Sequence, residues 1–304
     1  MEIATLYTYF KECGRVTTDT RNCPEGSMFI ALKGETFNGN AFAKQALEKG
    51  CRYAVVDEAQ YADDPNIFLV DDCLKTLQML AREHRRQMGT PIVGITGTNG
   101  KTTTKELIAT VLQKRYNVLY TQGNLNNHIG VPLTLLGLTE EHEMAVVEMG
   151  ANHPGDIKEL VEIAEPDYGV ITNVGMAHLQ GFGSLEGVIR TKGELYDYLR
   201  TTERKTIFLN HDNDYLKGIA DGLTAICYGQ FADEKVKVRG EFTACAPYLR
   251  FRWNVDGGNW YEVATQLIGS YNLDNALCAA TVGTHFGITA EEISAALAAY
   301  TPTN

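Results

Sequence analysis

The sequence lacks the marks of secreted, zinc-binding and membrane-spanning proteins. Its seven cysteines form no Cys-x-x-Cys pair and have no regular spacing, which argues against a disulfide framework or a zinc site. No apolar run approaches the length that spans a bilayer, and the chain opens with a polar helical pattern rather than a signal peptide. We therefore expect reduced, mostly buried thiols, a cytoplasmic location and no membrane partner.

Positive charge is also scarce. Lysine and arginine number 27 against 38 aspartates and glutamates, a net charge of -11, and they form no basic stripe. Nucleic acids select basic surfaces, so we expect no nucleic-acid partner. An anionic substrate would need a few cations placed locally. At 304 residues, the length favours two globular domains.

What the chain does carry is the segment PIVGITGTNGKTTTKE, residues 91–106. This order predicts a strand, a phosphate-binding turn and a helix. The glycines of GTNG would let backbone N–H groups face an anion, while Lys101 would reach the outer phosphates and Thr102 would hold Mg²⁺. The strict P-loop pattern fails, because Ile95 stands where it requires glycine. A helix start without a ligand is the alternative, and ATP binding is the interpretation we adopt.

Apolar periodicity divides the chain into two α/β segments. Residues 1–88 alternate helical patterns with short strands, and Gly89-Thr90-Pro91 is the expected hinge. Residues 89–304 hold near-continuous apolar strands separated by helices, which indicates a parallel sheet covered on both faces. Between 235 and 267 the pattern changes to that of an antiparallel ribbon. The predicted fold class is α/β, with a small N-terminal domain and a central P-loop domain.

Two loops of the first segment carry polar residues at predicted strand ends, where α/β units bind ligands. One loop holds Thr20 and Arg21, and the next holds Lys33 and Gly34. Arg21 and Lys33 would supply the positive charge that a phosphorylated substrate requires. Ordinary turns and caps explain the same residues equally well.

Further polar residues follow strands of the second segment. Glu148 ends an apolar run, where an acid would hold nucleotide-bound Mg²⁺, although helix capping also explains it. His178 follows the next strand and is either a structural residue or a metal-binding or catalytic group. Lys192 on a predicted helix is typical of a solvated lysine.

Asparagines form two further groups. Asn126 and Asn127 follow the second strand of this segment, where a turn and substrate amide contacts are equally good explanations. Asn272 opens a predicted helix, so N-capping would explain it, whereas Asn275 would lie in the helix interior.

Together these motifs resemble those of the Mur ligase family, along essentially the whole chain. The segments that carry the resemblance are GITGTNGKTT, TQGNLNNHIGVPLTLL, VVEMGANHPGDI, ITNVGMAHLQGFGS, RTKGEL and GSYNLDNALCAA. That family makes peptidoglycan precursors by ATP-driven amide formation. GNLNN, EMGANHPGDI and FIALKGETFNG are most similar to its D-alanyl-D-alanine-adding branch, which implies UDP-N-acetylmuramoyl-tripeptide and D-alanyl-D-alanine as substrates.

The resemblance also implies roles for individual residues. ATP would be held by Gly97, Thr98, Asn99, Gly100, Lys101, Thr102 and Thr103, with Asn272 and Asn275 at the adenine. The uridine diphosphate would contact Thr20, Arg21, Lys33 and Gly34, and the muramoyl peptide would contact Asn126 and Asn127. Two Mg²⁺ sites would draw on Thr102, Glu148, His178 and Lys192, and the catalytic set would be Lys101, Glu148, His178 and Lys192. Lys192 matches a lysine carbamylated by CO₂, which requires a neutral amine and hence a lowered pKa.

The sequence departs from the family pattern at Tyr271 and Asn40, where histidine is frequent, and it ends at YTPTN, where a third domain normally begins. We therefore expect a monomeric two-domain fragment that binds its ligands and is inactive alone. The alternatives are a Mur ligase that adds a different amino acid and a non-catalytic nucleotide-binding module. A folylpolyglutamate synthase would lack the uridine-side domain, and a GTPase would carry an NKxD tetrapeptide. Whether the third peptide residue is diaminopimelate or lysine stays open.

Overall fold

The computed structural model describes residues 1–175 and 182–302. The chain divides into two compact units. The first unit comprises Met1–Gly89 and His128–Thr139, and the second comprises Thr90–Asn127 and Glu140–Asn304.

The described helices are α1 (Ile3–Cys13), α2 (Ala43–Glu48), α3 (Cys73–Met88), α4 (Lys101–Leu112), α5 (Gly130–Leu135), α6 (Asp156–Ala164), α7 (Leu185–Arg200), α8 (Asp214–Gly218), α9 (Asn272–His285) and α10 (Ala290–Ala299). The described strands are β1 (Val16–Thr17), β2 (Met28–Ile30), β3 (Tyr53–Val56), β4 (Ile67–Leu69), β5 (Ile92–Thr96), β6 (Val118–Tyr120), β7 (Met144–Glu148), β8 (Tyr168–Ile171), β9 (Thr206–Asn210), β10 (Thr224–Gly229), β11 (Val236–Cys245), β12 (Tyr248–Val255) and β13 (Tyr261–Ile268). None of these helices is long and apolar enough to cross a bilayer.

The first unit is built on a four-stranded parallel sheet in the order β1-β2-β3-β4. The predicted helix at its start is confirmed, and it ends because Gly14 takes the left-handed conformation that suits a C-cap, at φ 67°. Asp72 caps the start of α3 by accepting a hydrogen bond from the backbone N–H of Lys75 at 2.7 Å. The chain returns to this unit at α5, which packs against α3.

A buried histidine links three parts of the first unit. His84 Nδ1 lies 3.0 Å from the Tyr7 hydroxyl, and its Nε2 lies 2.9 Å from the Leu138 carbonyl oxygen. Burial lowers the pKa of this imidazole below its ordinary value. The helix α1, the helix α3 and the segment after α5 are therefore tied by one neutral ring.

The second unit is built on a nine-stranded sheet in the order β13-β12-β11-β10-β9-β8-β5-β7-β6. Its strands from β11 to β6 pair in parallel, and β11, β12 and β13 pair antiparallel, which confirms the predicted ribbon. The first strand of the unit, β5, lies between β7 and β8. Strand order reverses there, and a crevice for ligands forms at the carboxyl ends of such strands.

Both faces of the central strands are covered, since every residue of β5 and β7 is buried. Helices α4, α9 and α10 pack on one another, and α6 packs on α7. Trp253 anchors the ribbon to this core: it is fully buried and its Nε1 donates to the Ser294 hydroxyl at 3.0 Å. The cysteines are unpaired, and those that are buried are Cys51, Cys73, Cys227 and Cys278.

Candidate nucleotide and metal site

The predicted phosphate-binding turn follows β5 directly and requires its glycines. Gly97 and Gly100 both have positive φ, 144° and 75°. A Cβ on Gly97 would lie 2.0 Å from the Thr172 hydroxyl oxygen, and one on Gly100 would lie 2.8 Å from Asn275 Oδ1. Backbone conformation and close approach therefore both demand glycine at these positions.

The turn is held in place by the end of the neighbouring strand β8. Asn173 Oδ1 accepts the Asn99 N–H at 3.0 Å, and its Nδ2 donates to the Asn99 carbonyl at 3.0 Å. Thr172 also donates to that carbonyl, at 2.7 Å, and Thr98 Oγ1 accepts the Gly175 N–H at 3.1 Å. Sequence reasoning missed Thr172 and Asn173, although their position after a predicted strand was a usable signal.

Helix α4 begins immediately after Gly100, and no side chain caps its start. Its first-turn N–H groups and its dipole make this end suitable for an anion. Lys101 lies at the same end and donates from Nζ to the carbonyl oxygens of Gly97 at 2.9 Å and Thr98 at 3.1 Å. Burial lowers the pKa of Lys101, and the charge of Glu148 opposes that shift.

Glu148, at the end of β7, is a buried carboxylate beside the first turn of α4. Its Oε1 accepts the Thr102 hydroxyl at 3.3 Å and Asn126 Nδ2 at 2.8 Å. Its backbone N–H donates to the Thr121 hydroxyl at 2.9 Å, so the strand end itself is fixed. The structure thus brings together three of the predicted residues, and Glu148 lies within a strand rather than capping a helix.

The oxygen donors of this group fit a magnesium ion. Mg²⁺ prefers carboxylate and hydroxyl oxygens together with phosphate, and Thr102 and Glu148 present such oxygens side by side. Glu148 Oε2 is buried and has no hydrogen-bond partner within the described part of the chain. Across residues 1–175 and 182–302 no three His, Cys, Asp or Glu side chains form a ready-made metal-binding group. The predicted ligand His178 lies outside the described residues.

Lys192 is not the solvated lysine that its residue type suggested, because only 2% of it is exposed. It lies on the buried face of α7 with Val188, Leu195 and Leu199, a helical spacing that the sequence already contained. Its Nζ donates to the Ala151 carbonyl at 3.4 Å. Burial, aided by the nearby positive charge of Lys101, lowers the pKa of Lys192 to about 8.

Two clefts adjoin the phosphate-binding turn and share Tyr271, which is 73% exposed. A cleft of about 470 Å³ is lined by Asn99, Gly100, Thr172, Asn173, Tyr271, Asp274 and Asn275. A second, of about 260 Å³, is lined by Thr102, Thr103, Glu106, Gln266, Leu267, Ile268, Tyr271, Asn272, Tyr300 and Pro302. Asp274, which sequence reasoning missed, lines the larger cleft, and burial raises the pKa of its carboxyl.

The predicted adenine-side asparagines are buried and hydrogen-bonded to the protein. Asn275 Oδ1 accepts the Thr104 hydroxyl at 3.0 Å, and its Nδ2 donates to Asn272 Oδ1 at 2.9 Å. Asn272 Nδ2 donates to the Ile268 carbonyl at 2.9 Å. Capping is therefore the wrong explanation of Asn272, because Tyr271 occupies the N-cap position and Asn272 contacts the preceding strand. These amides join α9 to α4 and to β13.

In the first unit, the loop after β1 holds Thr20 and Arg21. Arg21 is exposed and makes a bidentate pair with Asp19, its Nη2 lying 2.7 Å from Oδ2. Hydrogen bonds from Arg21 lower the pKa of Asp19 to about 2. The Thr20 carbonyl accepts Lys49 Nζ at 2.7 Å. The loop therefore contacts Lys49, which the sequence analysis did not select, and its Arg21 is already paired with Asp19.

The loop after β2 places Lys33 among carboxylates. Lys33 Nζ lies 2.9 Å from Asp57 Oδ1 and 3.4 Å from Glu58 Oε1. The Gly34 N–H donates to the Phe37 carbonyl at 3.0 Å, closing a tight turn. Asn40 is fully buried and donates from Nδ2 to Asp57 Oδ1 at 2.9 Å. Both cations predicted for the phosphates of a substrate thus have acidic partners in the protein.

Sequence profiles decide the family. The profile described as the Mur ligase middle domain matches residues 95–283, more than half of the chain. The profile described as the Mur ligase family, catalytic domain, matches residues 13–85. The chain belongs to the Mur ligase family. The family resemblance drawn from the sequence motifs is confirmed.

Individual relatives within the Mur ligase family are similar over nearly the whole chain. The UDP-N-acetylmuramoyl-tripeptide–D-alanyl-D-alanine ligase of Escherichia coli is 38% identical over 288 residues, covering 93% of this chain and 62% of that protein. The Bacillus subtilis ligase of the same name is 36% identical over 284 residues, covering 93% and 61%. The chain thus spans about 61–62% of the length of these relatives.

Solved structures show the same fold. MurF from Acinetobacter baumannii superposes with a TM-score of 0.87 at 29% identity, covering 99% of this chain and 68% of that chain. A MurF ligase from Thermotoga maritima, solved in complex with ADP, has a TM-score of 0.83 at 28% identity, covering 95% and 66%. The predicted α/β fold class is therefore confirmed.

Proposed function

We propose that this chain supplies the nucleotide-binding and UDP-substrate-binding parts of an ATP-dependent ligase that joins D-alanyl-D-alanine to UDP-N-acetylmuramoyl-tripeptide. The observation that carries the proposal is the grouping of Lys101, Thr102 and Glu148 at the reversal point of a parallel sheet. Relatives with this ligase name, at 36–38% identity, support the choice of substrates. A ligase for a different amino acid is the second candidate, since several Mur ligases share the fold.

The proposed reaction has two steps. The free carboxylate of the tripeptide attacks the γ-phosphorus of ATP, the bond to the β,γ-bridging oxygen breaks, and an acyl phosphate and ADP form. The amine of D-alanyl-D-alanine then attacks the acyl carbon, phosphate leaves, and the amine loses a proton as the amide forms. Phosphoryl transfer depends mainly on positioning and charge stabilisation. The site also has to overcome the electrostatic repulsion between ATP and the tripeptide substrate, which are both anions.

The described residues provide those functions. The N–H groups of the turn from Gly97 to Gly100 and the start of α4 would bind the phosphates. Lys101, now held over the turn by two carbonyl oxygens, would turn its ammonium toward the transferring phosphoryl group. Asn272 and Asn275 would border the adenine through the clefts that they line.

Thr102 and Glu148 would hold Mg²⁺, which neutralises charge on the phosphates when it is bound. We place Glu148 and His178 at a second Mg²⁺ site, as the resemblance implies, with a carbamylated Lys192 helping to position the metal. Lys192 has the property that carbamylation demands, because a pKa of about 8 leaves a useful fraction of its amine neutral. Addition of CO₂ to that amine, with loss of a proton, would give a carboxylate-like group.

We assign residues 1–88 to the UDP-substrate domain and residues 89–304 to the ATP domain. The separation of the two units after Gly89 supports this division, although His128–Thr139 belong to the first unit. Thr20, Arg21, Lys33 and Gly34 would border the uridine diphosphate. The pairing of Arg21 with Asp19 and of Lys33 with Asp57 means that a diphosphate would have to compete with carboxylates for both cations. Asn126 and Asn127 would lie toward the muramoyl peptide, and Asn126 already contacts Glu148.

Calorimetric titration tests the proposal. The chain is titrated with UDP-N-acetylmuramoyl-tripeptide and, as control, with folate, each with and without the β,γ-imido analogue of ATP and MgCl₂. We expect binding of the UDP ligand and of the nucleotide, and none of folate. Lys33→Met should weaken the UDP ligand and leave the nucleotide unchanged, and Lys114→Met, at an exposed position after α4, should change neither. Nucleotide binding without UDP-ligand binding would refute the substrate assignment.

A further inference from the structure

A buried lysine that the proposed reaction does not use lies beside Glu148. Lys105 is one turn along α4 from Lys101. The side chains of Lys105 and Glu148 are each 1% exposed, and Lys105 Nζ lies 3.5 Å from Glu148 Oε2. Within the part of the chain that the structure describes, neither atom has a hydrogen-bond partner. The two charges therefore face each other at contact distance in the interior.

Such a lysine needs a reason to be buried. Removing an ammonium group from water is costly unless an opposite charge lies beside it, and replacing an ion pair by well-packed apolar side chains is often neutral or stabilising. Lys105 also points the same way as Ile108 and Leu112 on a helix whose surroundings are largely apolar. Stability alone is thus a weak explanation for a cation at this position.

The contacts of Glu148 suggest a better explanation for the buried Lys105. Its Oε1 is shared between Thr102, at 3.3 Å, and Asn126, at 2.8 Å, while its Oε2 faces Lys105. Groups from α4 and from the loop after β6 therefore act on both oxygens of one carboxylate. A carboxylate held at both ends has a fixed plane, as groups behind metal ligands commonly ensure.

We infer that Lys105 is a positioning residue for the Mg²⁺ of the bound nucleotide: its charge holds Glu148 in the orientation that serves the metal. This inference rests on the proposed function, since it assumes that magnesium nucleotide binds beside Thr102. A simple Coulomb argument makes the opposite prediction, because a cation this close repels Mg²⁺ and its removal would tighten metal binding. The sign of one measured change therefore separates the two accounts.

The test compares wild type with Lys105→Met, Glu148→Gln, the double variant and the exposed control Lys114→Met. Calorimetry gives the affinity of each for the β,γ-imido analogue of ATP in MgCl₂ and in EDTA, and the ratio of the two is the magnesium-dependent gain. We expect Lys105→Met to lower this gain by about tenfold to a hundredfold, the usual effect of losing a group behind a metal ligand. Affinity in EDTA should not change, and Lys114→Met should match wild type.

The double variant separates positioning from stability. If Lys105 acts through Glu148, adding Lys105→Met to Glu148→Gln should not lower the magnesium-dependent gain any further. Urea unfolding without ligand should show that Lys105→Met alone is less stable than the double variant, because only the single variant leaves a buried carboxylate without its cation.

Several results would overturn the inference. An unchanged or larger gain in Lys105→Met would favour the Coulomb account, and an equal loss of affinity in MgCl₂ and EDTA would mean a merely structural role. A further loss of the gain in the double variant would show that Lys105 does not act through Glu148. A wild-type chain with no magnesium-dependent gain would overturn the proposed function and this inference with it, whereas a wild-type gain that Lys105→Met retains would overturn the inference alone.

Discussion

Lys192 offers a quantitative test of the site, because burial lowers the pKa of its amine from 10.5 to about 8. At pH 7 an amine with a pKa of about 8 is neutral in about one molecule in ten, against about one in three thousand for an ordinary lysine. The neutral population is thus raised about 300-fold, which corresponds to about 3 kcal/mol. Only this neutral form can add CO₂.

The assay is trace labelling with an amine-reactive reagent at a series of pH values, read for each lysine by peptide mass spectrometry. We expect half-maximal reactivity of Lys192 near pH 8, and exposed Lys114 in the same sample is the internal reference. Lys101→Met removes a positive charge that lowers the pKa, so the Lys192 midpoint should move to higher pH. Lys158→Met, which removes an exposed lysine on α6, is the matched control.

A Lys192 profile that coincides with that of Lys114 would refute the burial argument. If the pH midpoint of Lys192 labelling is the same in Lys101→Met as in wild type, the charge of Lys101 does not contribute to the lowered pKa. Proton binding at Lys192 also makes stability depend on pH. Between about pH 8 and 10.5 the unfolded chain holds a proton on Lys192 that the folded chain lacks. The contribution of Lys192 to the free energy of unfolding should therefore fall as the pH is lowered from 10.5 to about 8.

Other predictions address the turn, the catalytic lysine and the first unit. Gly97→Ala should cost about 3 kcal/mol in urea unfolding and abolish nucleotide binding, since its Cβ would lie 2.0 Å from the Thr172 hydroxyl; Gly155→Ala, with positive φ but open space, should cost less. In an active full-length ligase containing this chain, Lys101→Ala should lower turnover about 100-fold or more with little change in the unfolding midpoint; an unchanged rate would remove it from the mechanism. Because the pKa of His84 is lowered from 6.5, the unfolded chain takes up its proton first, so stability should fall as pH drops below 6.5, and His84→Gln should flatten that dependence.

The main elements followed from local sequence. The turn after β5 was predictable because Gly97, Gly100 and Lys101 occupy positions that a phosphate-binding turn requires whatever surrounds it. The helix from Asn272 and the ribbon before it were predictable for a similar reason, since periodicity changes from two residues to three or four at that point.

Contacts between distant segments were less accessible. Asn275 was expected to face a ligand or to lie inside a helix, and the structure shows that it bonds Thr104, 171 residues away. No local pattern encodes such a pair. The carboxylate partner of Lys33 shows the same limit, because Asp57 lies in a later loop, whereas Asp19 lies only two residues before Arg21 and could be found by local reasoning.

The burial of lysines was partly predictable, because local sequence carries a signal for it. Lys192 follows Val188 by four residues and precedes Leu195 by three, so the apolar stripe of α7 passes through it. Lys105 precedes Ile108 by three residues and Leu112 by seven on α4, with Lys101 four residues before it, so it stands at the N-terminal end of an apolar stripe. A lysine within an apolar stripe is therefore a usable sequence signal for a buried charge.

The arrangement of these charges bears on how so acidic a chain could bind anions. Lys105 pairs with Glu148, so with Lys101 and Lys192 protonated two uncompensated cations remain, a balance that suits phosphate and disfavours Mg²⁺. Conversion of Lys192 to a carbamate would remove one positive charge and add one negative charge, leaving one of each sign beside the Lys105–Glu148 pair. If the proposed modification occurs, nucleotide affinity in EDTA should therefore fall on adding bicarbonate while the magnesium-dependent gain rises. Opposite changes of these two quantities in one titration would tie the neutral amine of Lys192 to metal binding, whereas parallel changes would contradict the argument.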